Sequence, residues 1–467
     1  MASYFIENFG CRAARADGEA VGTRLRAEGL TELPLAEAGV VIVNTCSVTA
    51  EADRDARAFL RKTRRLNPQA KVVFTGCYAQ RAPDEIAALE GVTAVVGNSH
   101  KGLLPEIVHR LLADGPVRMQ AGLISPANLL SGAAAQVWAD ERFAHSYIED
   151  AQVLPGLQTR PNLKIQEGCG NRCTFCIIPT TRGSSRSLAP EKVLAQVHGF
   201  VAAGGNELVL SGINLGRWGN DLAEKRSFAG LIRQILEETR LPRLRLSSIE
   251  PMDWTPELIA LMREFGGIRL ARHAHLPLQS GSDAVLRRMH RRYRPWHYEQ
   301  KVAALFEAAG PDLALGADVM AGFPGETDSE FRETFDLMAR LPFAYLHLFP
   351  FSPRPGTRGW ELHRQSPVAP QAVAERMSAL RSLAANKTRS FRAGFLGRSL
   401  PAITLQTPVS LLSQGRTSAL TDNYLPVELA GILSANRLVC VHVMEILASG
   451  VLLGETDSSA GNIAVAS

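Results

Sequence analysis

From Ser3 onward the chain alternates short apolar runs with helical patterns. "SYFIENFGC" precedes "DGEAVGTRLRAEGL", "GVVIVNTC" precedes a charged helix over about Ala50 to Leu66, and "AKVVFTGC", a further helical stretch and "VTAVVGN" continue the series. Apolar runs of strand length between helical patterns predict βαβ units and a parallel sheet. Right-handed crossovers bring the carboxyl ends of such strands to one edge, where open α/β sheets bind ligands. Cys11, Cys46 and Cys77 each follow one of these strands directly. The pattern therefore gathers three residues far apart in sequence at that edge.

From about Lys101 to Thr159 the periodicity weakens, and the Ser, Ala and Gly rich "SPANLLSGAAAQ" reads as a connector with some helix. A second series follows, with candidate strands "NLKIQEG", "ELVLSG", "RLRLSS", "HAHLPL", "LALGADVMAG" and "YLHLFPFS". Six β/α repeats predict a partial β/α barrel whose active site lies at the carboxyl ends of its strands. Beyond a charged helix ending near Arg392, "AITLQTPVSLLSQ", "LPVELAG" and "LVCVHVMEILASGVLLGET" form a small all-β pattern. The expected organisation is an open parallel α/β sheet domain over 1–100, a connector over 101–158, the barrel over 159–392, a β domain over 395–458 and a tail over 459–467.

Composition narrows the chemistry. Of 467 residues, 46% are hydrophobic and 21% charged, as in a soluble globular protein. No apolar run is long enough to span a bilayer and the start lacks the layout of a signal peptide, so a cytoplasmic location without membrane contact is expected. In a reducing compartment, seven cysteines point to metal binding or catalysis rather than to a disulfide framework. The net charge of +5 permits a nucleic-acid partner without requiring one.

The stretch "EGCGNRCTFCIIPTTRG" (Glu167 to Gly183) holds three of the seven cysteines. Three thiolates can hold three corners of a [4Fe–4S] cube and leave the fourth iron open. An open position is what separates a reactive metal site from a structural one. Tetrahedral zinc would need a fourth ligand, and the nearest histidines are His145 upstream and His198 downstream.

Cys169, Cys173 and Cys176, with Phe175 before the last, resemble the signature of the radical S-adenosylmethionine (SAM) superfamily. In that superfamily the open iron chelates SAM, and the reduced cluster cleaves it to a 5′-deoxyadenosyl radical. The whole chain resembles the methylthiotransferases, which join a three-cysteine domain, a radical SAM barrel and a small TRAM domain. The resemblance implies two [4Fe–4S] clusters: Cys11 in "FGCR", Cys46 in "NTCSVT" and Cys77 in "TGCYAQ" would hold the auxiliary one, and Cys169, Cys173 and Cys176 the SAM-cleaving one. "DVMAGFPGE" resembles the family's barrel-strand motif and "GRTSALTDNYLPVEL" a TRAM strand pair. The chemistry is then carried by clusters, with no catalytic side chain named. Two SAM-dependent half-reactions would insert a methylthio group. Phe175 beside the ligands, Gly212, Ser248, Glu250 and Gln279 after barrel strands, and Asp318 within one are the candidate cofactor contacts. Cys440, in an apolar strand, reads as a small buried hydrophobe.

The stretches around Cys46 and Cys77, with "GINLGRWGNDL" and "SSIEPMDWTPELIALM", are most similar to the branch acting on threonylcarbamoyl-adenosine next to the tRNA anticodon. The other branches act on isopentenyl-adenosine or on a ribosomal-protein aspartate. A non-enzymatic iron–sulfur or zinc RNA-binding protein is the alternative of another class. The resemblance implies a tRNA anticodon stem-loop as partner, a flavodoxin or ferredoxin as electron donor, and a monomer. Arg54, Arg57, Arg61, Lys62, Arg64 and Arg65 would contact phosphates. Arg287, Arg288, Arg291, Arg292 and Arg294, interleaved with Tyr293 and Trp296, form a second candidate track. Two positions depart from the family pattern: Ala14 and Asp17 stand where asparagine and glutamate are usual. The β domain has few basic residues (Arg398, Arg416, Arg437), so weak RNA binding is expected of it.

Overall fold

The computed structural model describes residues 2–47, 50–113, 135–143, 153, 155 and 159–457. His145, the tail 459–467 and most of the expected connector lie outside the described residues. The chain divides into two compact units. The first comprises residues 1–152, 164–172 and 176–188, and the second 153–163, 173–175 and 189–467.

The first unit is built on a six-stranded parallel sheet. Its strands are β1 (Ser3–Asn8), β2 (Thr31–Glu32), β3 (Val40–Thr45), β4 (Lys71–Gly76), β5 (Ala94–Gly97) and β6 (Gln136–Trp138), in the order β2-β1-β3-β4-β5-β6. β3, "VVIVNT", is buried along its whole length, as expected where helices cover both faces of a parallel sheet. Val41 and Val43 join the cluster on one face with Ala56, Phe59 and Leu60 of the helix Ala50–Leu66. Val40 and Ile42 join the opposite cluster with Leu104, Ile107, Val108 and Leu111 of the helix Leu104–Leu112. The stretch expected to be a connector thus supplies a helix and a sixth strand, held by burial of Val137 and Trp138. β7 (Asn162–Glu167) and β8 (Arg186–Ser187) pair antiparallel, Gln166 opposite Ser187.

The second unit carries the strands read from the second series: β9 (Glu207–Gly212), β10 (Arg243–Leu246), β11 (His273–His275), β12 (Ala314–Ala321) and β13 (Phe343–Pro350). β9 pairs with β10, and β11, β12 and β13 pair in turn, all parallel; an isolated bridge between Ser248 and His275 joins the two sets. Three of the helices between them start on side-chain caps. Ser227 accepts from the Gly230 N–H, and Thr327 and Glu330 form a capping box.

β14 (Ser399–Thr404), β15 (Arg416–Thr421), β16 (Pro426–Ala430), β17 (Leu438–Ile446) and β18 (Leu452–Thr456) close a small barrel in the order β14-β15-β16-β18-β17. Alternate residues such as Leu400, Ala402, Val427, Leu429, Val441 and Val443 fill it, and closure removes exposed edges, as expected of a TRAM-like domain. Cys440 is half-buried on β17, and burial pushes its thiol up. Among the described residues no helix is long and apolar enough to cross a membrane.

Candidate active site

Parallel pairing places the three N-terminal cysteines. Asn8 is level with Asn44, and Thr45 with Gly76, so the residues leaving β1, β3 and β4 emerge at one edge. Cys11 and Cys46 touch there: the hydrogen bond between them, with the Arg182 charge nearby, outweighs desolvation and pulls the Cys11 thiol down to about 6. Gly10 makes this approach possible. Its φ is +105°, and a Cβ there would lie 2.1 Å from Cys46 Cβ. Asn98 follows β5 at the same edge and turns its Nδ2 toward Cys77 Sγ at 3.5 Å.

Behind the cysteines lies a buried charge network. Arg182 donates through Nε to Cys77 Sγ at 3.3 Å, and through Nη1 to Asp17 Oδ2 at 3.0 Å and Glu167 Oε1 at 2.8 Å. Lys101 Nζ donates to Asp17 Oδ2 at 3.0 Å, and Lys164 bridges Asp17 and Glu167. Burial raises the Asp17 carboxyl, but Lys101, Lys164 and Arg182 outweigh it and hold the group well below the carboxylate range. Asp17, the departure from the family pattern, is therefore the hub of the site. Ala14 contributes its carbonyl, which accepts from Asn44 Nδ2 at 2.6 Å.

The residues fit an anionic thiolate-ligated cluster. Three buried cations stand against two carboxylates, leaving one positive charge beside the cysteines. Arg182 Nη2 is a buried donor with no acceptor among the described residues. An excess cation and a free donor beside thiols favour thiolates and an anionic group over neutral thiols.

Cys169 and Cys176 belong to the first unit. The Cys169 N–H donates to Gly183 O at 3.0 Å, and Asn171 N–H donates to Cys169 Sγ at 3.4 Å. Cys173 and the remaining candidates belong to the second. There Arg291 Nη1 donates to Cys173 Sγ at 3.4 Å while Nη2 pairs with Glu250. Burial opposes the Arg291 charge, but Tyr293, Glu250 and Cys173 raise its pKa. Glu250 thus acts through Arg291. Thr174 locks the loop, its N–H donating to Met289 O at 3.1 Å and its hydroxyl to Arg288 O at 3.0 Å. Phe175 is partly buried beside it, and Gly212 closes β9. Gln279 has φ +62° and a buried Oε1 without a donor among the described residues, while its backbone is locked to β12. Ser248 bridges β11 through its backbone. Asp318 spends its Oδ1 on two histidines, His275 at 3.1 Å and His347 at 3.2 Å.

The structure corrects the second basic track at Arg291 and Tyr293, while the Arg287 and Arg292 side chains stay exposed. Arg291 and Tyr293 are buried, and the Tyr293 hydroxyl donates to Pro277 O at 2.7 Å, so this ring is no stacking platform. Arg287 and Arg294 pair with Asp283, and Arg288 with Glu330. Only Trp296 keeps an exposed ring. On the helix Ala50–Leu66, Arg57 pairs with Glu85 and Arg64 with Glu90, whereas Arg54, Arg61 and Arg65 are exposed without an ion pair among the described residues. In the closed barrel Arg416 pairs with Glu428, which lowers its free positive charge further.

Arg182, Lys101, Lys164, Glu167 and the pair His275 and His347 were not singled out from sequence. Signals were present: Lys164 and Glu167 interrupt an apolar strand, and "HAH" and "YLH" repeat at period two, which puts alternate residues on one face.

Residues 163–338 match the radical SAM superfamily, and residues 3–97 match a family described as "Uncharacterized protein family UPF0004". The chain is 32% identical over 439 residues to the threonylcarbamoyladenosine tRNA methylthiotransferase MtaB of Aquifex aeolicus, covering 93% of this chain and 98% of that protein. It is 33% identical to the protein of the same name from Bacillus subtilis (92% and 91% covered). It is 34% identical to the tRNA-2-methylthio-N(6)-dimethylallyladenosine synthase of Geobacter metallireducens (84% and 85% covered). In fold it is similar to the radical SAM methyltransferase TsrM of Kitasatospora setae, with a TM-score of 0.53 and 17% identity over 74% of this chain and 73% of that one.

Proposed function

The chain belongs to the radical SAM methylthiotransferase family, and from that premise we propose that it converts threonylcarbamoyl-adenosine beside the tRNA anticodon to its 2-methylthio derivative. It is an enzyme of this class and uses SAM and [4Fe–4S] clusters. The observation that carries the substrate reading is similarity over 93% of this chain to a relative named for that reaction. The identity of 34% to a dimethylallyladenosine synthase favours a second reading, in which the adenosine carries an isoprenoid group.

When bound, the clusters and SAM supply sulfur and radical chemistry that side chains lack, because an adenine C2–H is too weak an acid for His or Glu near neutral pH. The chain's own residues bind and orient. Cys11, Cys46 and Cys77 would hold the auxiliary cluster, with Arg182 and Asn98 donating toward Cys77. Cys169, Cys173 and Cys176 would hold the SAM-cleaving cluster, with Arg291 donating toward Cys173 and Glu250 fixing its guanidinium. Phe175, Gly212, Ser248 and Gln279 would shape the SAM pocket, Gln279 offering its Oε1 to a donor. Exposed Arg54, Arg61, Lys62 and Arg65 would meet the phosphates of the anticodon stem, which positions without reading sequence. A one-electron donor such as flavodoxin or ferredoxin and a monomeric chain complete the proposal.

Mass spectrometry of tRNA nucleosides from cells with and without the protein tests the substrate. Loss of methylthio-threonylcarbamoyl-adenosine on deletion is expected. An unchanged level, with loss of the isopentenyl-type methylthio nucleoside, would select the second reading. Gly10→Ala tests the auxiliary site: crowding against Cys46 is expected to lower reconstituted iron from about eight toward about four per chain. Iron unchanged in an assay of the purified variant would show that Gly10 is not required there.

A further inference from the structure

Asp318, expected from sequence among the cofactor contacts, belongs in the second unit to a cluster whose other members have no role in the proposed function. Register places it. His275 is level with Gly316 and Gly316 with Tyr345, and one layer on Asp318 is level with His347, so period-two alternation puts all four side-chain positions on one face of β11, β12 and β13. Gly316 has no side chain, and a Cβ there would lie 2.1 Å from the Tyr345 ring, which therefore lies across that strand.

Asp318 Oδ1 sits 3.1 Å from His275 Nε2 and 3.2 Å from His347 Nδ1, and the three atoms all lie within 4.8 Å of one another. A tetrahedral metal with bonds of about 2.05 Å separates its ligand atoms by about 3.3 Å, so two edges of such a site already exist. The second layer is also built. His275 Nδ1 is 3.0 Å from the Tyr345 hydroxyl, which is also 2.7 Å from His273 Nε2. With the Tyr345 hydroxyl at Nδ1, His275 Nε2 faces Asp318, and a metal bound there would replace the Nε2 proton while the hydroxyl accepts from Nδ1–H. A partner on the other ring nitrogen is the outer-shell arrangement of a metal-ligating histidine. Tyr424 packs against His273 with ring centroids 4.6 Å apart and planes tilted by 36°, which restrains that ring in turn.

We propose that His275, Asp318 and His347 form a site for a divalent first-row transition metal, with zinc as the representative cation. Two imidazoles and one carboxylate suit Zn2+ and its neighbours rather than Mg2+ or Ca2+. His275 is buried and His347 is 55% exposed on its side chain, so the remaining coordination position faces the open side. That position takes water or an anionic oxygen ligand. This metal is additional to the iron held by the six cysteines.

The test uses the full-length, reconstituted holoenzyme, freed of loose metal and titrated with ZnCl2, with bound zinc and iron counted and the zinc K-edge absorption recorded. One zinc per chain with a first shell of nitrogen and oxygen at about 2.0–2.1 Å is expected. His347→Ala, at a half-exposed position that folding tolerates, and Asp318→Asn should each weaken zinc binding at least about tenfold while iron content stays at the wild-type level. A sulfur shell near about 2.3 Å, which marks zinc in a cysteine site, would overturn the proposal. So would zinc affinity unchanged in both variants, or no retained zinc at micromolar concentration.

Discussion

Replacing Asp17 with alanine is expected to destabilise the first unit by roughly 3–5 kcal/mol, the cost of removing one partner from a buried ionic network. Lys101, Lys164 and Arg182 are each buried, and Asp17 accepts from all three. Without it Lys164 and Arg182 share the single carboxylate of Glu167, and Lys101 is left, among the described residues, with the Asn44 Oδ1 contact at 3.5 Å. The cavity matters less than the uncompensated charge, so Asp17→Asn, which keeps the volume, should lose most of the same stability. Hydrogen exchange of the β3 amides, buried in that unit, reads the effect directly. Protection within about 1 kcal/mol of wild type in both variants would show that Asp17 is not the hub. The same variants should bind less iron at the N-terminal cysteines, because the network also sets the position of Arg182 against Cys77.

The second large effect lies at Glu207 on β9. Its carboxylate is fully buried among Arg245 at 2.7 Å and Arg160 and Arg243 at 3.3 Å each, and Arg245 goes on to donate to Asp422 O and Thr421 O. Burial raises the Glu207 pKa, but the three guanidinium groups outweigh it and bring the group down to about 2. A carboxyl whose folded pKa is depressed adds stability above its unfolded pKa and loses it as pH falls through the folded one. From the usual value near 4.5 to about 2, this amounts to about 3 kcal/mol, lost between about pH 5 and pH 2. Glu207→Gln should therefore cost roughly 3–5 kcal/mol near neutral pH and progressively less in acid. Urea unfolding followed by tryptophan fluorescence, with Trp218 and Trp254 buried in this unit, gives the comparison. A difference between wild type and variant that stays constant from pH 7 to pH 3 would contradict it.

Both networks explain why parts of the site were hidden in the sequence. Period-two and helical patterns tell which face of an element is buried, and they located the strands and the cysteines at strand ends. They do not tell what lies opposite a buried charge. Lys164 interrupts an apolar strand, and its partner Asp17 is 147 positions away in the chain. The run "RRMHRRYRP" read as a continuous basic surface. His290, at φ +55°, ends the helix Asp283–Arg288 and resets the phase, so Arg291 and Tyr293 turn inward. β6 was missed because three residues are too few to show a period.

What the sequence determined by itself is the strand and helix series, the two sets of three cysteines, and the family they resemble. Each of these depends on local spacing or on a strand's carboxyl end, which chain order alone places. Only the tertiary structure decided which charges surround the thiols, that Asp318 is shared by His275 and His347, and that Glu250 acts through Arg291. Those pairings join residues from separate strands and loops, and their energies exist only once burial has removed water.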